Sequence, residues 1–434
     1  MPRRSEGDFR DVPEGMDPLH YVLKVCEAIG KKYGNATIAR DLHPTSPMVS
    51  GAVIAGLTSV GAEVRDGGVM PSPVLPFASK SAKCTIMIGS PVKIDRQSHI
   101  NLRNPDGTFV DAEACGAIRD RIDKGVELPD YKKVGCVRPV TGGIDRYKDR
   151  VMSAVLSANC QVIMDCASDC PSYVAPQMLT DLGADVVSVN SHPGGKSPVR
   201  HPSPDELNLG YLAKTVKANP GSLGLAFNSD GSRLAAYDEA GRYMDGAAIF
   251  ATIIDVFRPP KVAAPIDAPM IIDYLMGQDN VIRIPRGVSG LGAAVRDTGL
   301  KMGSDCAGSF VFADVSYALD GMAAGAYLAK AASETSLRQL LDAYPETVTG
   351  GDFVKFPWDN AKAVKALSEN LLAMDRVSFS DVDGFRVGME SGWFHVRPGE
   401  AGAEIVAEAK DKMYLAGMID LAKRALDASS KVSR

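Results

Sequence analysis

Ala226-Phe227-Asn228-Ser229-Asp230-Gly231-Ser232-Arg233 continues a short apolar run that starts at Leu223 and leads on into Leu234-Ala235-Ala236-Tyr237. A brief apolar run bounded by turn residues predicts a buried strand. Asp230-Gly231 supplies the geometry of a tight turn. The pattern is therefore strand, acidic glycine turn, strand, a setting suited to a cation or a phosphate. A single carboxylate, Asp230, stands in the turn.

Upstream, Gln161–Asp165 and Asp185–Val189 read as strands, Tyr173–Leu182 and Pro204–Ala218 as helices, and Ser191–Lys196 as a polar loop. Strand alternating with helix predicts a largely parallel sheet. The same alternation precedes it. A helix over Pro18–Tyr33 leads to a strand over Ala36–Ala39. A helix starting at Ser46, with Pro47 in its first position, follows. Val64 to Val69 and Thr85–Ile88 are extended, and the latter emerges at Gly89-Ser90-Pro91. A third block repeats the pattern, with strands at Val281–Ile284 and Phe310–Phe312 and helices at Ser289–Thr298 and Asp320–Ala332. The last block differs. Phe385–Gly388, Trp393–Val396 and Glu404–Ala407 are strands without intervening helices, and Lys412–Leu426 is a closing helix. Paired glycines make Thr347–Gly351 a linker candidate before it.

A chain of 434 residues predicts two to four domains. The net charge of −5, with both signs interspersed, argues against nucleic acid as a partner. No apolar run approaches a membrane span of about 18 residues, and no apolar core follows Met1–Gly7, so a cytoplasmic protein without a secretory leader is expected. The eight cysteines are scattered among apolar residues, as buried reduced thiols are. Cys166 and Cys170 lack the second pair and the nearby histidine of a zinc site.

The order of these pieces resembles the α-D-phosphohexomutases, the superfamily of phosphomannomutase, phosphoglucomutase and phosphoglucosamine mutase. The resemblance runs through Arg40-Asp41 with Ser46-Pro47, Gly67–Val74, Asn104-Pro105-Asp106-Gly107, Val162–Ala167, Val174-Ala175-Pro176 and Leu182-Gly183-Ala184. It continues through Ser316-Tyr317, Asp320-Gly321 and Arg397-Pro398. It implies an α/β architecture of three tandem mixed α/β sandwich domains and a C-terminal α+β (TBP-like) domain, together heart-shaped. The expected domains are 1–149, 150–250, 251–350 and 351–434. It also implies a chemistry in which a phosphoserine passes its phosphoryl group to a hexose phosphate. The intermediate reorients and the other phosphate returns to the serine, with Mg2+ held by three aspartates. Such transfer rests on positioning and charge stabilisation.

Four loops carry that chemistry in the family, and each is altered. The serine loop T-A-S-H-N-P corresponds to Ile88-Gly89-Ser90-Pro91-Val92-Lys93, so Ser90 falls on the nucleophile without the histidine and asparagine. The metal loop D-x-D-G-D-R corresponds to Asn228-Ser229-Asp230-Gly231-Ser232-Arg233, where Asn228 and Ser232 replace two carboxylates and Arg233 remains. Mg2+ prefers anionic oxygens, so weak binding by Asn228, Asp230 and Ser232 is expected. In the sugar loop G-E-x-S-G-H, Asp305 falls on the glutamate while Ala307 and Ser309 replace serine and histidine. In the phosphate loop R-P-S-G-T-E-P, Arg397 remains, both hydroxyls are lost and Glu400 brings a negative charge. Arg10 matches the arginine of the family's N-terminal T-S-G-I-R-G. Two readings stand. One is an impaired or inactive homologue that binds a sugar phosphate or serves as a regulatory or partner subunit, with a protein partner or as a homo-oligomer. The other is a diverged active mutase using Ser90 and Arg233 in catalysis, Mg2+ as cofactor, and Arg10, Asp305 and Arg397 for substrate.

Overall fold

A computed structural model describes residues 9, 16–78, 81–89, 99–194, 200–399 and 401–431. The chain folds into four sheets in sequence order. The first orders the strands His99–Arg103, Thr85–Gly89, Asn35–Arg40, Glu63–Val69 and Val137–Pro139, and only the His99–Arg103 pairing is antiparallel. The second orders Tyr243–Met244, Leu234–Tyr237, Leu223–Phe227, Gln161–Asp165 and Asp185–Val189, with a parallel core and an antiparallel flank. The third orders Val281–Ile284, Val262–Pro265, Met302–Ser304 and Phe310–Phe312. The fourth, Val348–Val354, Gly402–Ala409, Gly392–Gly399, Phe385–Met389 and Ser378–Ser380, is antiparallel throughout. Three mixed α/β units and a C-terminal α+β unit are thus present. Among the described residues no helix is long and apolar enough to cross a membrane.

The first three units share one apolar cluster, which runs from Val74 and Met87 through Tyr147, Met164 and Phe227 to Phe250, Phe310 and Phe312. Helix Gly321–Glu334 lies at its centre because its sequence is rich in glycine and alanine. A Cβ at Gly325 would come within 3.2 Å of the Phe227 ring, so the small residue lets helix and strand approach closely. The fourth sheet packs on its own cluster, built from Leu367, Val387, Phe394, Val396, Ile405 and Leu426.

Several expected elements are shorter or differently started. The helix expected from Pro204 begins at Gly210, after a 3-10 turn over Glu206–Asn208, because Asp205 is still extended. The helix expected from Tyr173 is a 3-10 turn, Cys170–Tyr173, followed by Ala175–Asp181. The helix expected over Ser289–Thr298 spans Leu291–Asp297. The cap of helix Ser46–Ser59 is Thr45, and the Ser46 hydroxyl instead donates to Asp41 Oδ1 at 2.5 Å. The linker expected at Thr347–Gly351 is strand Val348–Val354. Its glycines serve close packing: a Cβ at Gly351 would lie 2.5 Å from the Ile405 carbonyl oxygen. The divides expected at 149/150, 250/251 and 350/351 fall inside Gly143–Val155, Gly246–Phe257 and Val348–Val354.

Candidate active site

The hairpin Leu223–Phe227 and Leu234–Tyr237 is in register, Phe227 opposite Leu234, so residues 228–233 form its closing loop. Gly231 takes the left-handed conformation the turn requires (φ +74). Within the loop the hydrogen bonds are closed. The Arg233 N–H donates to Asn228 Oδ1 at 3.0 Å, which turns the Asn228 amide nitrogen toward Asp230. Asp230 Oδ1 accepts from Asn228 Nδ2 (2.7 Å), the Ser232 hydroxyl (2.6 Å) and the Ser232 N–H (3.0 Å). The two neutral residues that replace carboxylates therefore donate to the third. A metal at this carboxylate would face N–H and O–H donors where it needs lone pairs, so Asn228, Asp230 and Ser232 as arranged do not fit Mg2+.

Three units meet at this loop. The Ser72 N–H donates to the Asp230 carbonyl at 2.8 Å, and the Gly321 N–H to the Gly231 carbonyl at 3.0 Å. Arg233 pairs with Ser309 through the backbone, and Gly321 sits so close that a Cβ there would be 2.4 Å from the Arg233 backbone. The sugar-loop candidate is thus beside the metal-loop candidate. Asp305, expected to grip a sugar, spends Oδ1 on its own turn, accepting from the Ala307 and Ser309 N–H groups at 2.8 Å each. Among the described residues the Arg233 guanidinium pairs with no carboxylate.

Two further carboxylates crowd the loop, and neither was singled out as a site residue from the sequence. Asp41 is buried at the end of strand Asn35–Arg40, where its N–H donates to the Ile88 carbonyl. Asp169 Oδ1 accepts from Leu42 N–H (2.8 Å) and Cys170 N–H (2.7 Å), joining the first unit to the second. Burial, then the neighbouring Asp41 and more weakly Asp230, push Asp169 up to about 7. Burial and the same three acids raise the Cys170 thiol, which donates to the Ser229 carbonyl at 2.8 Å.

Ser90 and Arg10 lie outside the described residues, as does Glu400. Arg397 is in the fourth sheet. The expected phosphate loop there is a tight hairpin: Arg397 lies opposite Glu404 and Gly399 opposite Gly402. Arg397 and Glu404 form an ion pair across the strands.

Comparison with known proteins gives this geometry its family. The profile of phosphoglucomutase/phosphomannomutase alpha/beta/alpha domain I matches residues 6–128, and that of domain II residues 144–241. A probable phosphoglucosamine mutase of Methanosarcina acetivorans is 30% identical over 398 residues, covering 90% of this chain and 91% of the relative. The chain belongs to the α-D-phosphohexomutase superfamily. Solved phosphohexomutases share the fold. A phosphoglucomutase/phosphomannomutase family protein from Burkholderia thailandensis superposes with a TM-score of 0.80 at 20% identity, over 98% of this chain and 97% of that one. Aspergillus fumigatus N-acetylphosphoglucosamine mutase, solved in complex with GlcNAc-6P and magnesium, superposes with a TM-score of 0.52 at 15% identity, over 91% of this chain and 82% of that one.

Proposed function

We propose that this phosphohexomutase homologue is catalytically impaired or inactive and that its cleft takes a hexose phosphate as a bound ligand, in a regulatory or partner-subunit role. The observation that carries the reading is the Asp230 carboxylate, whose Oδ1 is taken up by Asn228 and Ser232 donors. The Arg397–Glu404 pair supports it, because the arginine expected to meet phosphate is neutralised within its own sheet. Domain divides at 140–142, near Asp245 and at 345–347 interrupt no helix or strand. Among the described residues no cysteine forms a disulfide, which suits the reducing cytoplasm.

The second reading is a diverged active mutase with Ser90 as phosphoryl carrier. It draws on the probable phosphoglucosamine mutase of Methanosarcina acetivorans and on Asp41 and Asp169, two further carboxyl groups beside the loop. Intact-mass analysis after incubation with glucose 1,6-bisphosphate separates the two. No phosphate adduct is expected. An adduct that disappears in Ser90→Ala would overturn the first reading. Magnesium should leave the melting temperature unchanged. The Asn228→Asp/Ser232→Asp variant should gain a magnesium-dependent increase, since three adjacent carboxylates repel one another until a cation joins them.

A further inference from the structure

We propose that Arg200 is a positioning residue of the candidate site, which acts through the Phe227 carbonyl to set where the 228–233 loop leaves its strand. The second sheet is parallel at its centre, so three neighbouring strands end side by side. Gln161–Asp165 lies in the middle, with Leu223–Phe227 on one flank and Asp185–Val189 on the other. Asp165 closes the middle strand and is 1% exposed. Its Oδ1 accepts the Ala167 N–H at 2.8 Å, and its Oδ2 accepts the side-chain amide of Asn190, the residue after Val189, at 2.7 Å. A buried carboxylate beside strand-end carbonyls needs a buried cation.

Arg200 is that cation, with a side chain 5% exposed. One nitrogen, Nη2, lies 3.0 Å from Asp165 Oδ1 and donates to the Phe227 carbonyl at 2.6 Å. The other, Nη1, donates to the carbonyls of His201 (3.0 Å) and Pro202 (3.5 Å), which holds the guanidinium plane against its own backbone. The planar fork thus joins the ends of two strands to the segment that follows Arg200.

The place of this contact gives it its effect. Pairing with strand Gln161–Asp165 stops at Ala226. Phe227 is one residue beyond, and the next is Asn228, whose Oδ1 accepts the Arg233 N–H and whose Nδ2 donates to Asp230. Three neutral donors tie the carbonyls farther along the loop: Cys170 to Ser229, Ser72 to Asp230 and Gly321 to Gly231. Arg200 holds the base with a charge. A freed Phe227 carbonyl would let Asn228 turn away from both Arg233 and Asp230, and the loop would lose the geometry that presents Arg233. The consequence for a sugar phosphate rests on the proposed ligand role of the cleft; the consequence for the loop does not.

Hydrogen–deuterium exchange of the full chain, read by mass spectrometry without ligand, tests the assignment. In Arg200→Met the amides of residues 228–234 should exchange roughly tenfold faster than in the parent, while those of helix Gly246–Phe257 keep the parent rate. Arg200→Lys returns a cation beside Asp165 but lacks the Nη1 arm, so its loop should exchange only about two- to threefold faster than the parent's. A loop at the parent rate in Arg200→Met would overturn the assignment. So would equal loop rates in the Met and Lys variants, or a rise shared by the helix, because packing or overall stability would then account for the residue. Should Arg200→Met not fold, Arg200→Lys decides: a faster loop over an unchanged helix is expected, and a loop at the parent rate overturns it. In calorimetry, Arg200→Met, or Arg200→Lys in its place, should bind glucose 6-phosphate more weakly than the parent, and equal affinity would count against Arg200. A parent that does not bind glucose 6-phosphate would overturn the ligand role of the cleft, and the exchange rates would still decide Arg200.

Discussion

Asp169 shows what one side chain can do to the loop it faces. Its carboxylate is 8% exposed and meets Asp41 and, more weakly, Asp230. Its pKa of about 7 stands above the roughly 3.9 of an unfolded aspartate. The folded state therefore binds the proton more tightly. The stability this group contributes is complete below about pH 4 and is lost as pH rises through about 7. Asparagine at this position keeps an oxygen for the Leu42 and Cys170 N–H groups. Asp169→Asn should match the parent near pH 4 and exceed it at pH 8 by up to about 4 kcal/mol, read from guanidinium unfolding at the two pH values. Equal stability at both would show that neither burial nor the neighbouring acids keep the Asp169 carboxyl protonated toward neutral pH. The loop residues Asn228, Asp230 and Ser232 were legible in the sequence because a hairpin is local and Asp-Gly marks its turn. Asp169 was not. It is brought to the strand ends by Ala167 and Ser168, two successive non-glycine residues at φ 56 and 53, and that conformation has no sequence signature.

The element that changed meaning most is the hairpin at Arg397. Pro398 argues for a strand end at this point, and the family resemblance for a phosphate-binding loop. The observed pairing continues through Arg397, Pro398 and Gly399, and it sets Arg397 directly against Glu404. A cross-strand pair of opposite charge contributes about 0.2–1 kcal/mol, and partial exposure of both side chains, 32% and 41%, keeps this one at the low end. Glu404→Gln should thus alter stability by less than about 1 kcal/mol. It should also free the guanidinium and raise the affinity for glucose 6-phosphate several-fold in calorimetry. An unchanged affinity would place Arg397 away from the ligand. The shortened helices follow a similar logic. Hydrophobic spacing located the helices at Gly210–Ala218 and Leu291–Asp297, while their starts depend on backbone angles at Leu209 and Gly290 that spacing does not encode.

At the scale of the whole molecule, the alternation of strands and helices was enough to read repeated α/β units and a different closing block, because each unit repeats a local pattern, while their architecture of three tandem sandwiches and a C-terminal α+β domain came from the family resemblance. The joints between units were not legible, since they depend on single contacts between residues far apart in sequence. The buried bond from the Tyr147 hydroxyl to Asp320 Oδ1, at 2.8 Å, is such a joint. It ties helix Gly143–Val155 to the residue that caps helix Gly321–Glu334, within the cluster shared by three domains. Asp320 also accepts the Ala323 N–H, while its Oδ2 has no partner among the described residues. Burial raises Asp320 to about 7, and the Tyr147 and Ala323 bonds act against that rise. By the same sign as for Asp169, the carboxyl is protonated at pH 5 and charged at pH 8, and its stabilising contribution falls between them. Tyr147→Phe removes a hydrogen bond to a neutral acid at pH 5, about 1 kcal/mol, and one to a carboxylate at pH 8, about 1.5–3 kcal/mol. Denaturant unfolding at the two pH values should show the larger loss at pH 8. A loss that is equal at both values would mean that Asp320 does not titrate in this range.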